Sequence, residues 1–146
     1  MKKIIIVLFS YAILTGCSYS ASTLSYLNVD PEDLSEEIQS YFQSVREENG
    51  VHLYFDEENN SMFVYLNASN VAQGDHAETF TDFDVESQED TLHLLYNSEK
   101  TPDISSTSSI HSIIYKVNLN QEYEGVKLFH NGDEASFRSI SGDKEE

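Results

Sequence analysis

Acidic side chains at alternate positions are the first feature of this sequence that could do chemistry. Asp82, Asp84 and Glu86 are spaced like the first oxygen ligands of an EF-hand calcium loop. The sequence then departs from that loop, because Ser87 stands where the sharp turn needs glycine and His93 where a bidentate glutamate is expected. On a strand, the three acids would share one face and form a solvated edge that opposes aggregation. We expect this acidic edge, and a calcium-stabilised surface domain is the alternative.

The histidines form no recognisable metal-binding pattern. None of the five is spaced from another as zinc ligands usually are: His52, His76, His93, His111 and His130. The single cysteine adds no thiolate pair, so we expect no zinc site and no cofactor. Asp75, His76 and His111 fall in predicted loops, where binding residues concentrate, and they are therefore candidate binding residues.

The motifs of nucleophilic catalysis are missing from the sequence. It contains no Gly-x-Ser-x-Gly elbow and no Cys–His pair, and its six glycines are too scattered to form a phosphate-binding loop. The Ser-Ser-Thr-Ser-Ser run at 105–109 is better interpreted as a loop. We therefore predict no catalytic residues and a protein that is not an enzyme. A small hydrolase that uses two of the many carboxylates is the alternative.

The charge of the chain excludes two classes of partner. The 146 residues contain 26 Asp and Glu against 8 Lys and Arg, for a formal net charge of −18. Nucleic-acid binding and adhesion to anionic lipid head groups both need clustered Lys and Arg, so neither is expected. A hydrophobic content of 39% nevertheless predicts a folded chain rather than a disordered one.

The amino terminus has the organisation of an export signal. Lys2 and Lys3 precede the apolar run 4–14, which at about eleven residues is too short to span a bilayer. The run ends in Leu14-Thr15-Gly16-Cys17, which resembles the lipobox of bacterial lipoproteins. The resemblance implies acylation of Cys17, cleavage after Gly16 and a lipid-anchored, extracytoplasmic protein. In a two-membrane envelope, Ser18 in place of Asp would favour the outer membrane.

The chain beyond the signal divides into three parts. Residues 1–16 are the predicted signal peptide, 17–29 a Ser- and Tyr-rich tether, 30–141 a single domain and 142–146 an acidic tail. Cleavage would leave 6 basic side chains against 26 acidic ones, a net charge of −20. The cell membrane, reached through the lipid on Cys17, and an unidentified protein are the expected partners.

The domain is expected to begin with one amphipathic helix over 31–48. Asp30 can cap it, Pro31 suits its first turn, and Asn49-Gly50 supplies a stop signal. A single apolar stripe at helical spacing follows the start: Leu34, Ile38, Tyr41, Phe42 and Val45.

After Gly50, apolar and polar residues alternate with the two-residue period of a β-strand. The pattern predicts about six strands, which include a hairpin over 51–67 and a second one with its tight turn at Asn131-Gly132. Because no second helix is available for parallel crossovers, the expected fold class is α+β, with the helix packed on one mainly antiparallel sheet.

The aromatic residues bear on the expected function. Tyr54, Phe63 and Tyr65 lie opposite the main apolar alternation of their strands, so the first hairpin is either buried on both faces, which we favour, or carries an exposed binding patch. Two long connections, 67–78 and 98–111, add loop surface. We expect a lipid-anchored extracytoplasmic binding or accessory protein that acts through protein–protein contacts, and an envelope hydrolase is the alternative.

Overall fold

The fold is built almost entirely of β-strands. A computed structural model of the chain describes residues 22–102 and 110–142. Within these ranges it contains one α-helix, one 3-10 turn at Pro31–Asp33 and nine strands. In chain order the elements are β1 (Ser25–Val29), α1 (Glu36–Val45), β2 (Gly50–Asp56), β3 (Ser61–Asn67), β4 (Ala77–Gln88), β5 (Thr91–Thr101), β6 (Ser112–Asn118), β7 (Gly125–His130), β8 (Asp133–Ala135) and β9 (Ser139–Gly142).

The strands form two sheets. One has five strands in the order β1-β6-β3-β2-β9, and the other has four in the order β4-β5-β7-β8. Most neighbours are antiparallel, but β2 pairs with β9 and β5 pairs with β7 in parallel. The chain crosses between the sheets after β3, β5, β6 and β8. In each parallel pair, the two strands are therefore separated in the sequence by strands of the other sheet.

The predicted fold class was therefore wrong. The molecule is not an α+β domain with one helix on a single sheet of six strands; it is mostly β, with two sheets. Alternation marks a strand but does not say which sheet the strand joins, and this is why the sequence suggested one sheet. Ser25–Val29, which we expected within the tether, pairs along its whole length with β6.

The single helix is also shorter than expected. Asp30 does act as a cap, since its carboxylate accepts a hydrogen bond from the Glu32 amide at 3.1 Å, but it caps the 3-10 turn. The backbone is extended at Leu34 and Ser35, and the Ser35 hydroxyl then caps α1 by accepting from Ile38 N. The predicted helix over 31–48 is thus a turn followed by a ten-residue helix.

The five-stranded sheet is covered on both faces. Side chains such as Leu53 and Val64 pack between the two sheets with Leu94 of the opposite sheet, and none of the three is exposed. On the outer face, a second cluster joins the sheet to α1: Tyr54, Phe63, Tyr65, Ile114, Ile38, Phe42 and Leu34. Double burial of the first hairpin is thereby confirmed.

The second predicted hairpin turn is confirmed as well. His130 of β7 pairs with Asp133 of β8, which leaves Asn131 and Gly132 as a two-residue loop with φ of 51° and 89°. Positive φ at both positions is the conformation that an Asn-Gly pair favours. Among residues 22–102 and 110–142, no helix has the length and apolar content that a membrane span requires.

Candidate functional site

The register of the strands shows at which end of the two packed sheets, the β-sandwich, the tether joins the domain. Ser25, the first residue of β1, pairs with Asn118, which in turn pairs with Ser61 of β3, and Ser61 pairs with Asp56 of β2. The Asn118 side chain donates to the Ser25 hydroxyl at 3.3 Å. These residues mark what we call the tether end of the domain.

Hydrogen bonds hold the loops of the tether end in place. The Asp56 carboxylate accepts from the Asn59 side chain at 2.9 Å and from its backbone amide at 3.3 Å, which closes the β2–β3 turn. Asn60 is joined to Leu119 by two hydrogen bonds, from Leu119 N to Asn60 O and from Asn60 Nδ2 to Leu119 O, both 3.0 Å. The turn and the connection after β6 are therefore fixed to each other.

A cavity of about 590 Å³, the tether-end cavity, opens between the sheets beside these loops. This volume lies within the range of about 300–1,000 Å³ that is usual for ligand sites. Its apolar lining comes from both sheets and from the β8–β9 connection: Leu53, Phe55, Met62, Val126, Phe137 and Ile140. Ile140 is 58% exposed, the largest exposure among the large apolar side chains of the described chain.

Acidic residues surround the mouth of the tether-end cavity. Asp56, Glu57, Glu122 and Glu124 belong to its lining, and no Lys, Arg or His of the described residues does. Glu57, Glu122 and Glu124 are exposed, and Asp56 is half-buried. A low-dielectric cleft edged by charges of one sign focuses the field, so this cavity should attract cations and repel anions.

The last strand places Ile140 at the mouth of the cavity. Leu53 pairs with Ile140, and Phe55 pairs with Gly142, where φ is +108°. A Cβ on Gly142 would lie 2.5 Å from the backbone nitrogen of Phe55, so only glycine allows this approach. On the other side of β2, the Ser139 hydroxyl contacts His52 Nδ1 at 2.7 Å.

At the opposite end of the sandwich, a polar cluster joins three strands of the smaller sheet. The buried Ser98 hydroxyl of β5 donates to the Glu78 carboxylate of β4 and lies 2.6 Å from Nε2 of His130 in β7. The Glu78 and His130 side chains are 3.4 Å apart. Because an ionised carboxylate only accepts, Ser98 donates to it and Nε2–H of His130 donates to Ser98. In this arrangement Nε2 of His130 does not accept the hydroxyl proton of Ser98.

Tyr96 completes this cluster. Its ring stacks on that of His130 with centroids 4.6 Å apart and an angle of 4°. Burial, with a further contribution from the negative charge of Glu78, raises the pKa of Tyr96 to about 12. The sequence reasoning missed the cluster, because Glu78, Ser98 and His130 meet only through the pairing of β4, β5 and β7.

The loop residues that the sequence suggested as binding candidates lie in different surroundings. His111 lies beside the cluster, where its Nδ1 donates to the Glu78 carbonyl at 2.6 Å and its buried Nε2 has no partner among the described residues. Asp75 and His76 are exposed in the loop before β4, and the Asp75 amide donates to the Ala72 carbonyl. The structure therefore brings His111, but not the other two, into contact with Glu78.

The acidic residues of β4 lie along its exposed face. Asp82, Asp84 and Glu86 alternate with inward-facing residues, and a bulge between Phe80 and Asp82 precedes them. The carboxylates of Asp82 and Asp84 each accept from the next backbone amide, at 3.0 and 2.8 Å. No group of three or more metal-ligating side chains comes together within the described ranges. Calcium binding by these acids, the alternative to a solvated acidic edge, stays untested.

Comparison with known proteins identifies the amino terminus. Residues 1–18 match the model of the prokaryotic membrane lipoprotein lipid attachment site. The lipobox is thereby confirmed, and the chain is a bacterial lipoprotein, anchored to the membrane by lipid. Acylation of Cys17, which lies outside the described residues, stays a prediction. No curated protein and no solved structure matches the chain.

Proposed function

We propose that this lipoprotein is a non-catalytic binding protein that holds a partner protein at the tether end of its domain, on the extracytoplasmic side of the membrane. The observation that carries the proposal is the tether-end cavity. It combines an apolar lining and an exposed Ile140 with two loops that hydrogen bonds hold to each other. An apolar centre with a polar rim is the usual anatomy of a protein interface.

The length of the tether supports this placement. Seven residues, 18–24, separate Cys17 from Ser25. Fully extended, they span at most about 29 Å, so the tether end stays close to the lipid surface. Ser25 lies two strand spacings, about 10 Å, from Ser61, which lines the cavity. A partner in the cavity would therefore be held close to the membrane surface.

The arrangement of the polar cluster supports a role without catalysis. Ser98 is the serine of the described chain that comes closest to a nucleophile, since it contacts both a carboxylate and an imidazole. Its hydroxyl donates a hydrogen bond to Glu78, and the three side chains tie β4, β5 and β7 together. We therefore assign the cluster to stability.

Site-specific photo-crosslinking in cells tests the proposal. A benzophenone amino acid replaces Ile140 at the cavity mouth in the full-length, acylated protein, and the matched control carries it at Glu99, exposed at the opposite end of β5. We expect a discrete protein adduct from position 140 that is absent from position 99 and is lost in the Cys17→Ala form. Equal adducts at both positions, adducts to lipid alone, or no adduct at position 140 would contradict it.

A further inference from the structure

We propose that the tether-end cavity takes a basic, amphipathic segment of a partner protein, in which apolar side chains alternate with Lys or Arg. This inference rests on the proposed function and adds the chemistry of the ligand. It follows from the charge of the rim, the apolar interior and the strand edge beside them.

The acidic rim of the cavity favours a ligand with basic side chains, whereas its interior favours one with apolar side chains. Phe55, Phe137 and Ile140 offer apolar surface that gains from being covered, at roughly 25 cal/mol per Å². Glu57, Glu122 and Glu124 stand around that surface without a basic neighbour in the described lining. A purely apolar ligand would leave these carboxylates unpaired, and an acidic one would be repelled. A segment with both kinds of side chain satisfies the whole site.

Two basic residues that adjoin the lining residues Val126 and Phe137 in the chain are already paired with other acids. Lys127 lies 3.5 Å from Glu134, and Arg138 donates to Glu48 at 2.8 Å. The residues that follow β9, 143–146, comprise three acids and one lysine, so their net charge has the same sign as the rim. The described lining therefore supplies no basic side chain that would balance the acids of the rim.

The edge of β9 gives the reason for expecting an extended ligand. Ser139–Gly142 is the outermost strand of the larger sheet, and within the part of the chain that the structure describes no strand pairs with its outer side. A segment added there would form backbone hydrogen bonds, and its side chains would alternate between the two faces. Apolar residues would then enter the cavity beside Ile140, while the basic residues would point to the outer face of the sheet, where Asp56 and Glu57 of the rim are also accessible.

Peptide binding to the acylated full-length protein tests this chemistry. The protein is reconstituted in phosphatidylcholine vesicles, and empty vesicles give the baseline. The probes are three octapeptides, of alternating Lys and Leu, Lys and Ser, and Glu and Leu. We expect the Lys-Leu peptide to bind about tenfold more tightly than either of the others, with an affinity that falls as salt is added. Equal affinity of the Lys-Ser peptide would overturn the inference, because the cavity would then contribute nothing.

Matched charge reversals locate the binding. Glu122→Lys with Glu124→Lys changes the rim, and Asp82→Lys with Asp84→Lys makes the same change of net charge on the outer face of β4. We expect the rim variant to bind the Lys-Leu peptide about tenfold more weakly and the control variant to lose less than about twofold. Equal losses in the two variants would overturn the inference, since only net charge would matter.

Two further results separate this inference from the function on which it rests. Deletion of residues 143–146 is expected to leave affinity unchanged, and binding that appears only after the deletion would make the chain's own tail the occupant. If position 140 crosslinks a protein in cells but the Lys-Leu peptide shows no preference, the binding function stands and the ligand chemistry fails. If the peptide preference holds without a cellular adduct, the proposed function fails instead.

Discussion

The Nδ1 atom of His52 lies 2.7 Å from the Ser139 hydroxyl, and this contact fastens the last strand, β9, to its neighbour β2 in the larger sheet. His52 is fully buried, and its Nε2–H donates to the Glu48 carbonyl at 2.9 Å. Nδ1 of the neutral ring therefore accepts from Ser139, which in turn accepts from the Tyr41 hydroxyl at 2.7 Å. One chain of hydrogen bonds thus joins α1, β2 and β9, and β9 carries Ile140 to the cavity.

Ser139→Ala is expected to destabilise the fold by about 1–3 kcal/mol, because it leaves the buried Nδ1 of His52 without a donor. Urea denaturation followed by circular dichroism measures the change. Ser87→Ala, at an exposed position of β4, is the control and should change the free energy of unfolding by less than about 0.5 kcal/mol. Equal stability of the two variants would mean that the chain of hydrogen bonds contributes little.

Gly142→Ala should detach β9 and lower the thermal midpoint, since the added Cβ meets the backbone of Phe55. Gly74→Ala provides a matched control, because its φ of +94° is also positive but nothing lies within 4 Å of the added Cβ. Strain at positive φ costs about 1–3 kcal/mol in both variants, so a larger loss at Gly142 isolates the steric clash. Similar midpoints from differential scanning calorimetry would argue against the close approach of β9 to β2.

Leu94→Ala is expected to cost about 2–5 kcal/mol, because Leu94 is fully buried between the two sheets and its removal leaves a cavity. Leu27, which is 48% exposed on β1, is the comparison, and Leu27→Ala should cost less than about 1 kcal/mol. Chemical denaturation of both variants measures the two values. If Leu27→Ala were the more damaging, the packing of the sheets face to face would be wrong.

The raised pKa of Tyr96 predicts how the stability of the fold changes at alkaline pH. Its pKa rises from 10.0 to about 12 in the folded protein, so the folded state holds its proton more tightly than the unfolded state. The stabilisation is complete below pH 10 and is lost as pH rises through about 12. Ultraviolet titration of tyrosinate should show a late-titrating group that disappears in Tyr96→Phe. In Glu78→Gln that group should titrate earlier, and an unchanged titration in Tyr96→Phe would refute the assignment.

The anchor itself can be tested by metabolic labelling. Cys17→Ala removes the only thiol of the chain, so incorporation of radiolabelled palmitate should fall to background and the protein should leave the membrane fraction. Ser18→Ala keeps the cysteine and should be labelled like the wild type. Labelling of the Cys17→Ala protein would place the lipid on another residue.

Features set by neighbouring residues were predicted well from the sequence. The acylation motif and the Asn131-Gly132 turn each depend on a few consecutive side chains, and each was confirmed. Asp30 also acts as a cap, but of the 3-10 turn and not of the helix. The burial of Tyr54 on the helix-facing side of its strand was also readable, because alternation assigns every second residue to the same face. The length of the helix could not be predicted from the sequence, since Leu34 and Ser35 interrupt it with extended backbone although the apolar stripe continues.

By itself, the sequence determined where this protein is attached, how acidic it is and which segments alternate as strands, because these properties need no contact between distant residues. Only the tertiary structure decided how the strands divide between two sheets. That division brings Glu78, Ser98 and His130 together at one end and opens an acid-rimmed cavity around Ile140 at the other. Strand pairing joins residues far apart in the chain, and the energy that selects one pairing comes from burial between whole sheets, which no local pattern encodes.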